Sequence, residues 1–166
     1  MILICTASHG ANLTLCRRVE RLLGERGIKA CLVDLTVTSL PLYTSKVEQR
    51  PPAELMTELS EAFTSATGFF FAAPEYNGSI PPTLSNLIAW LSTETTDFRS
   101  VFNDKPAVIA THSGGGGQKL LTSLRIQLSH LGMNVLGREL ASKGDGEVRE
   151  QSLNDALDRL LRLANT

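Results

Sequence analysis

Three short stretches carry the residue types from which a ligand site can be made. The first is TASHGANLT, residues 6–14, where Thr6, Ser8, Asn12 and Thr14 crowd around Gly10 just ahead of an apolar-periodic segment. A helix starting there presents unpaired N–H groups and the positive end of its dipole, which favour a phosphate, and the hydroxyls and amide add donors without fixed charge. Ser8 and Asn12 would equally serve as plain helix caps. The second stretch is PEYNGSIPP, residues 74–82, reached from the apolar run FFFAA. Pro74 removes a donor and helps end a strand, and Asn77-Gly78 turns the chain. Tyr76 is left as a planar wall with Asn77 beside it, and Pro82 falls near the first turn of the next helix. That equipment matches a planar heteroaromatic ring with imide edges, and also a purely structural turn. The third stretch, THSGGGGQ (111–118), contains four successive glycines. Such a run is entropically unfavourable and is justified where backbone must approach something closely; a loose loop tip is the alternative.

Several stricter motifs are excluded. There is no GxxxxGK[ST] and no GxGxxG, so neither a nucleoside triphosphate nor a Rossmann dinucleotide is indicated, and Asp34 reads as an ordinary strand-end carboxylate. A thiolate phosphatase built on Cys5 would need an arginine at position 11, which is Ala11; Cys5 reads as a small buried hydrophobe. The HxGGG pattern at 112–116 lacks a GxSxG nucleophile elbow, which argues against hydrolysis. His9, His112 and His130 lack metal-ligand spacing, so no metal site is expected.

These stretches must be positioned by the elements around them. Strand candidates are residues 1–6, 28–35, 66–73, 105–111 and 133–140. The first, third and fourth are continuously apolar, as in strands buried on both faces. Helical stripes lie between and after them: Leu15, Val19, Leu22 and Leu23, with Gly27 as a stop; Leu55, Leu59, Ala62, Phe63 and Ala66; Leu84, Leu87, Ile88 and Leu91; Leu120, Leu121, Leu124, Leu128 and Leu131; and Leu153, Leu157, Leu160, Leu161 and Ala164. Strands alternating with helices predict an α/β domain with a parallel sheet covered on both faces. In such a fold ligands bind beyond the carboxyl ends of the strands. The three stretches are the loops after strands one, three and four, and are called loops one, two and three below.

With 166 residues the chain suits one domain over 1–166, and 42% apolar with 20% charged residues is ordinary for a globular protein. A formal net charge of −1 provides no footprint for nucleic acid or an anionic membrane surface. No apolar run approaches the roughly 20 residues of a membrane span. The opening MILICTASHG has no basic region like that of a signal peptide. Cys5, Cys16 and Cys31 form no CxxC and cannot all pair, which suits a reducing cytoplasm.

Taken with its flanks, the chain resembles the NADPH-dependent FMN reductases of the flavodoxin-like fold. PEYNGSIPP followed by LSNLIAWLS carries most of the resemblance; DLTVTSLPLY (34–43) and HSGGGGQKLLTSLRIQLSHLGMNV (112–135) extend it over nearly the whole chain. The resemblance implies a three-layer sandwich with a five-stranded parallel sheet in the order 2-1-3-4-5. It implies FMN as cofactor and NADPH or NADH as hydride donor. Ser8, Asn12 and Leu13, with Thr14, would line the FMN phosphate. Pro74, Glu75, Tyr76, Asn77 and Gly78 would follow the ribityl chain and ring, and Ser113, Gly114 and Gly115 would reach the pyrimidine edge. Members usually carry an arginine and a second serine in loop one, where this chain is shorter and has His9, Gly10 and Ala11. Lower phosphate affinity, His9 in the arginine's place, and poor flavin loading are all open there.

The implied activity is reduction of a small-molecule electron acceptor (a quinone, azo compound, metal oxyanion or free flavin) with FMN carrying the chemistry and no protein group catalytic. The implied assembly is a homodimer or dimer of dimers through the helix containing Trp90 and its neighbour, Trp90 being either core edge or exposed anchor. Two other readings stand beside this one: a flavodoxin-type electron carrier, and a flavin-binding or scaffold protein with a degenerate site. Loop three has no aromatic and the net charge is near zero, both of which count against the carrier.

Overall fold

Phe69, Phe70 and Phe71 are all buried, and they point alternately to opposite sides of one sheet. Their strand is continuously apolar because both its faces are covered. The structure is a computed structural model that describes residues 1–44, 46 and 49–164. Its elements run β1 (Ile2–Thr6), α1 (Ala11–Glu25), β2 (Ala30–Asp34), α2 (Ala53–Ser65), β3 (Gly68–Ala72), α3 (Pro82–Leu91), β4 (Pro106–His112), α4 (Gln118–His130), β5 (Asn134–Val135), β6 (Leu140–Ser142) and α5 (Glu150–Ala164). The strands are parallel in the order β2-β1-β3-β4-β5, with β6 also pairing to β4.

Each helix lies where its stripe sends it. Phe69 and Phe71 stack 5.7 Å apart and pack with Leu3, Cys5 and Ile109 against Met56, Leu59 and Phe63 of α2, Leu84 and Leu87 of α3, and Leu120 and Leu124 of α4. On the other face Ile2, Ile4, Phe70 and Val108 meet Leu15, Cys16 and Val19 of α1 and Leu153, Leu157 and Leu160 of α5. Burial of each large apolar side chain is worth about 1.5–3 kcal/mol. The three central strands therefore hold the sheet, and β2 is its less buried edge.

One expectation needs correction, and one open alternative is decided. Residues 133–140 do not form one strand. Val135 pairs with Ala107 and Leu140 with Ala110, so the chain advances five residues while β4 advances three. The excess leaves the sheet between β5 and β6, and Arg125 of α4 meets it there, donating to the carbonyls of Val135 and Leu136 and to Glu139. A side chain thus replaces the ladder, and the sheet gains a sixth strand. Nor is Trp90 an exposed anchor. It is 1% exposed, donates from Nε1 to the Pro41 carbonyl at 2.7 Å, and meets Tyr43 edge-to-face at 5.2 Å. Asn86 accepts the Tyr43 N–H at 2.8 Å and donates to Pro41, so α3 fastens the segment after β2.

Candidate functional site

The carboxyl ends of β1, β3 and β4 lie side by side and bring the three loops together. Loop two is the easiest to build. Tyr76 and Ser79 exchange backbone hydrogen bonds at 3.2 and 3.0 Å, and between them Asn77 (φ 51) and Gly78 (φ 72) occupy the left-handed region. That is the geometry of a type I′ turn, for which Asn-Gly is the favoured pair. Tyr76 stands at the turn 50% exposed, and Pro74 is buried beneath it. Pro81 caps α3 and Pro82 takes its first position, so the missing amide proton breaks no helix bond.

Polar side chains between the loops hold them to one another. Thr111 Oγ1 donates to the Ala73 carbonyl at 2.7 Å, so its 2.8 Å contact with Ser113 has Ser113 Oγ as donor. Ser113 Oγ also accepts the Glu75 N–H at 2.7 Å. The Glu75 carboxylate accepts the N–H groups of Lys119 and Leu120 at 3.0 and 3.3 Å, placing a negative charge on the positive end of α4. Asn12 is 3% exposed; its amide donates to Ser8 Oγ and the His112 carbonyl, both at 3.1 Å, and accepts the His112 N–H at 2.7 Å. Asn12, Glu75 and Ser113 therefore work as joints. The plain capping reading of loop one does not hold, because the N-cap position of α1 is Gly10 (φ 73, ψ −135) and no side chain caps the helix.

The glycine run divides in two. Gly116 and Gly117 have φ of 90 and 72, and a Cβ on Gly117 would meet Thr111 Cγ2 at 2.5 Å. Both are required by the fold. At Gly114 and Gly115 φ is not positive, and an added Cβ meets nothing within 4 Å. Nothing within the chain demands glycine at these two positions, and they are exposed at the rim of the cleft. Among the other expected site residues, Ser8 and Leu13 are half-buried. Thr14 is exposed and, with Ala11 of the same loop, lines a cavity of about 290 Å³ whose lining also includes Arg18, His112 and Ser142.

No thiolate chemistry is available beneath the site. Burial pushes the Cys5 thiol well above its usual range, and burial foremost pushes Cys16 up to about 12, so both stay protonated near neutrality. Among the described residues no group of three or more His, Cys, Asp or Glu side chains gathers as a metal site, and no helix is long and apolar enough to cross a membrane. Sequence reading missed Thr111, whose hydroxyl is a hub of loop three, and it also missed a contact from Thr36 to His9 Nδ1 at 3.1 Å. Neither residue has a local signature; each is found only once the strands are neighbours.

A parallel sheet in this order, with a cleft of bare amides, glycines and one exposed tyrosine at its carboxyl edge, defines a flavodoxin-like protein. The profile of the NADPH-dependent FMN reductase family matches residues 1–147, and the chain belongs to that family. A quinone reductase of Escherichia coli is 33% identical over 134 residues, covering 74% of this chain and 70% of that protein. Among solved structures, the flavoenzyme NAD(P)H:(acceptor) oxidoreductase FerB from Paracoccus denitrificans superposes with a TM-score of 0.73 at 20% identity, covering 99% of this chain and 94% of that one. A flavodoxin from the domain Archaea superposes with a TM-score of 0.64 at 11% identity, covering 99% and 97%. At these identities the structural likeness is one of fold. The protein is an oxidoreductase, with FMN as its cofactor and NAD(P)H as its reductant.

Proposed function

We propose that this protein reduces small-molecule acceptors by ping-pong turnover, with quinones as the leading class and azo compounds, metal oxyanions and free flavin as the wider one. The observation that carries the reading is the uncovered rim of the cleft. Tyr76 is the sole Phe, Tyr or Trp in the three loops, and Gly114 and Gly115 have open space where side chains would project. FMN, when bound, supplies hydride chemistry that no protein side chain has to perform. The chain's own part is to bind, orient and leave room.

In this reading the first-turn amides of α1, with Ser8, Asn12, Leu13 and Thr14, hold the phosphate. Pro74, Glu75, Tyr76, Asn77 and Gly78 line the ribityl chain and ring, and the backbone at Ser113, Gly114 and Gly115 meets the pyrimidine edge. Asn12, Glu75 and Ser113 contribute mainly by positioning, since their side chains are engaged in joining loops. One open face admits the nicotinamide and, after it leaves, the acceptor. Two substrates that use one space in turn give parallel double-reciprocal lines with NADPH and a quinone. Intersecting lines would sink the shared face while leaving FMN binding intact.

The reading includes a single cytoplasmic domain over 1–166, a setting suited to three free cysteines. It also includes a homodimer or dimer of dimers. Trp90 is already covered by its own chain, so the contact falls to α4, where Ile126 is 66% exposed. Light scattering on the FMN-loaded protein at micromolar concentration should show at least a dimer; a monomer would refute the assembly.

A further inference from the structure

β4 sends its residues alternately to the two faces of the sheet. Val108 and Ala110 join the core under α1 and α5, so the His112 side chain follows them to that face, away from Thr111 and Ser113, which tie loop three to loop two. There it forms one wall of the cavity of about 290 Å³ beside the first turn of α1. Three contacts fix the walls. Arg18 of α1 reaches the loop after β6, donating to the Val148 carbonyl at 3.0 Å and pairing with Glu147 at 3.5 Å. His112 Nδ1 lies 3.1 Å from Ser142 Oγ, and the His112 backbone is held by the Asn12 amide. Two polar groups are left over: His112 Nε2 and the Thr14 hydroxyl have no partner among the described residues.

The lining selects for one kind of group. Leu15 and Val148 are buried and supply an apolar wall. The Arg18 guanidinium and the His112 ring are planar groups of the kind that stack on a nucleobase. Asp145 and Glu147 bring two carboxylates, which only accept, from the loop side. That excess of carboxylate rejects a phosphate on the loop side and favours a neutral group rich in donors, such as an exocyclic amine or a pair of ribose hydroxyls. At about 290 Å³ the space lies at the small end of ligand sites, with room for one nucleoside and not for a whole dinucleotide. Ala11 and Thr14 continue the lining to the first turn of α1. We propose that this cavity is a subsite for the adenosine group of a dinucleotide, with the adjoining phosphate toward the first turn of α1. Two dinucleotides supply that group: the NAD(P)H reductant, and FAD, which carries AMP beyond the phosphate it shares with FMN. The place of the cavity in turnover rests on the assignment of loop one to the flavin phosphate; its occupancy by adenosine does not.

The test begins with adenosine titrated into the full chain loaded with FMN and followed by NMR. Adenosine at about millimolar concentration should shift the His112 ring and Thr14 methyl signals. Ser142→Phe projects a ring into the cavity from β6 and should abolish those shifts while FMN binding stays unchanged. Asp145→Ala, on an exposed loop where the fold has little at stake, should weaken adenosine roughly ten-fold. Two further arms identify the source. If the group belongs to the reductant, adenosine competes with NADPH, and both variants raise the KM for NADPH roughly ten-fold with kcat unchanged. If it belongs to the flavin, the apoprotein binds FAD at least as tightly as FMN, and both variants weaken FAD alone. NADPH and FAD handled alike by wild type and both variants overturn the inference, whether or not free adenosine binds. Equal affinity for FMN and riboflavin, with the adenosine shifts intact, would defeat the phosphate assignment of loop one and uphold the adenosine subsite.

Discussion

Loops two and three are tied to each other at several points between Ala73 and Leu120: Thr111 to the Ala73 carbonyl, Ser113 to the Glu75 amide, and the Glu75 carboxylate to the first turn of α4. Loop one reaches loop three through the side chain of Asn12 alone among the described residues, with hydrogen bonds that span 100 residues of sequence. The two ends of the cleft are thus built differently. The end assigned to the flavin ring is a preorganised frame in which backbone groups are held by buried hydroxyls and a carboxylate. The end assigned to the phosphate is a helix terminus without a side-chain cap, joined to loop three by one amide side chain. Charge complementarity is accordingly built in at the stiff end, where Glu75 occupies the α4 dipole, whereas loop one itself carries a single basic residue, His9.

Three substitutions test that contrast. Gly117→Ala should have the largest effect on the fold, because a Cβ there collides with the buried Thr111 hub at a φ of +72. A loss of about 2–4 kcal/mol is expected, read as a fall of roughly 5–15 °C in Tm. A Tm unchanged from wild type would mean that loop three is not the stiff end. Asn12→Ala should rank second. It strips the His112 N–H and carbonyl of their partner, which costs about 2–3 kcal/mol, and FMN affinity should drop with stability. If stability falls and FMN affinity does not, loop one is not the phosphate site. Gly115→Leu should have the smallest effect on stability, within about 0.5 kcal/mol, because its backbone is unstrained and nothing of the chain lies near a Cβ there. Flavin binding, in contrast, should be severely weakened. Similar stability losses at 115 and 117 would show that the glycine run acts as one structural unit, and the open-rim argument would fail.

Much of the frame was legible in the sequence, for reasons that differ by residue. Continuous apolar runs marked β1, β3 and β4 because strands covered on both faces have no polar side to display. Asn77-Gly78 marked its turn because both residues tolerate positive φ, a property of the residues themselves. Pro82 marked a helix start in the same local way. Trp90 was ambiguous because a helical stripe states which side is apolar and not what will cover its border; the Pro41 carbonyl and Tyr43 cover it. Residues 133–140 looked like one strand because the pattern Met133, Val135, Leu136, Leu140 does not reveal that Arg125 will satisfy two carbonyls in place of the ladder.

By itself the sequence determined the helices and the first four strands, where the three loops lie, and that the cleft would carry hydroxyls, amides, glycines and a single tyrosine. Those properties follow from short-range physics: backbone conformational preference, hydrophobic periodicity, and the absence of a proton on proline. Only the tertiary structure decided what the polar residues do. Strand order sets His112 beside Asn12, Ser113 beside Glu75, and Thr36 beside His9, pairs separated by 100, 38 and 27 residues. A hydrogen bond needs its partners within about 3 Å, and at such separations that proximity comes from sheet topology and helix packing, which place the ends of distant strands at one edge.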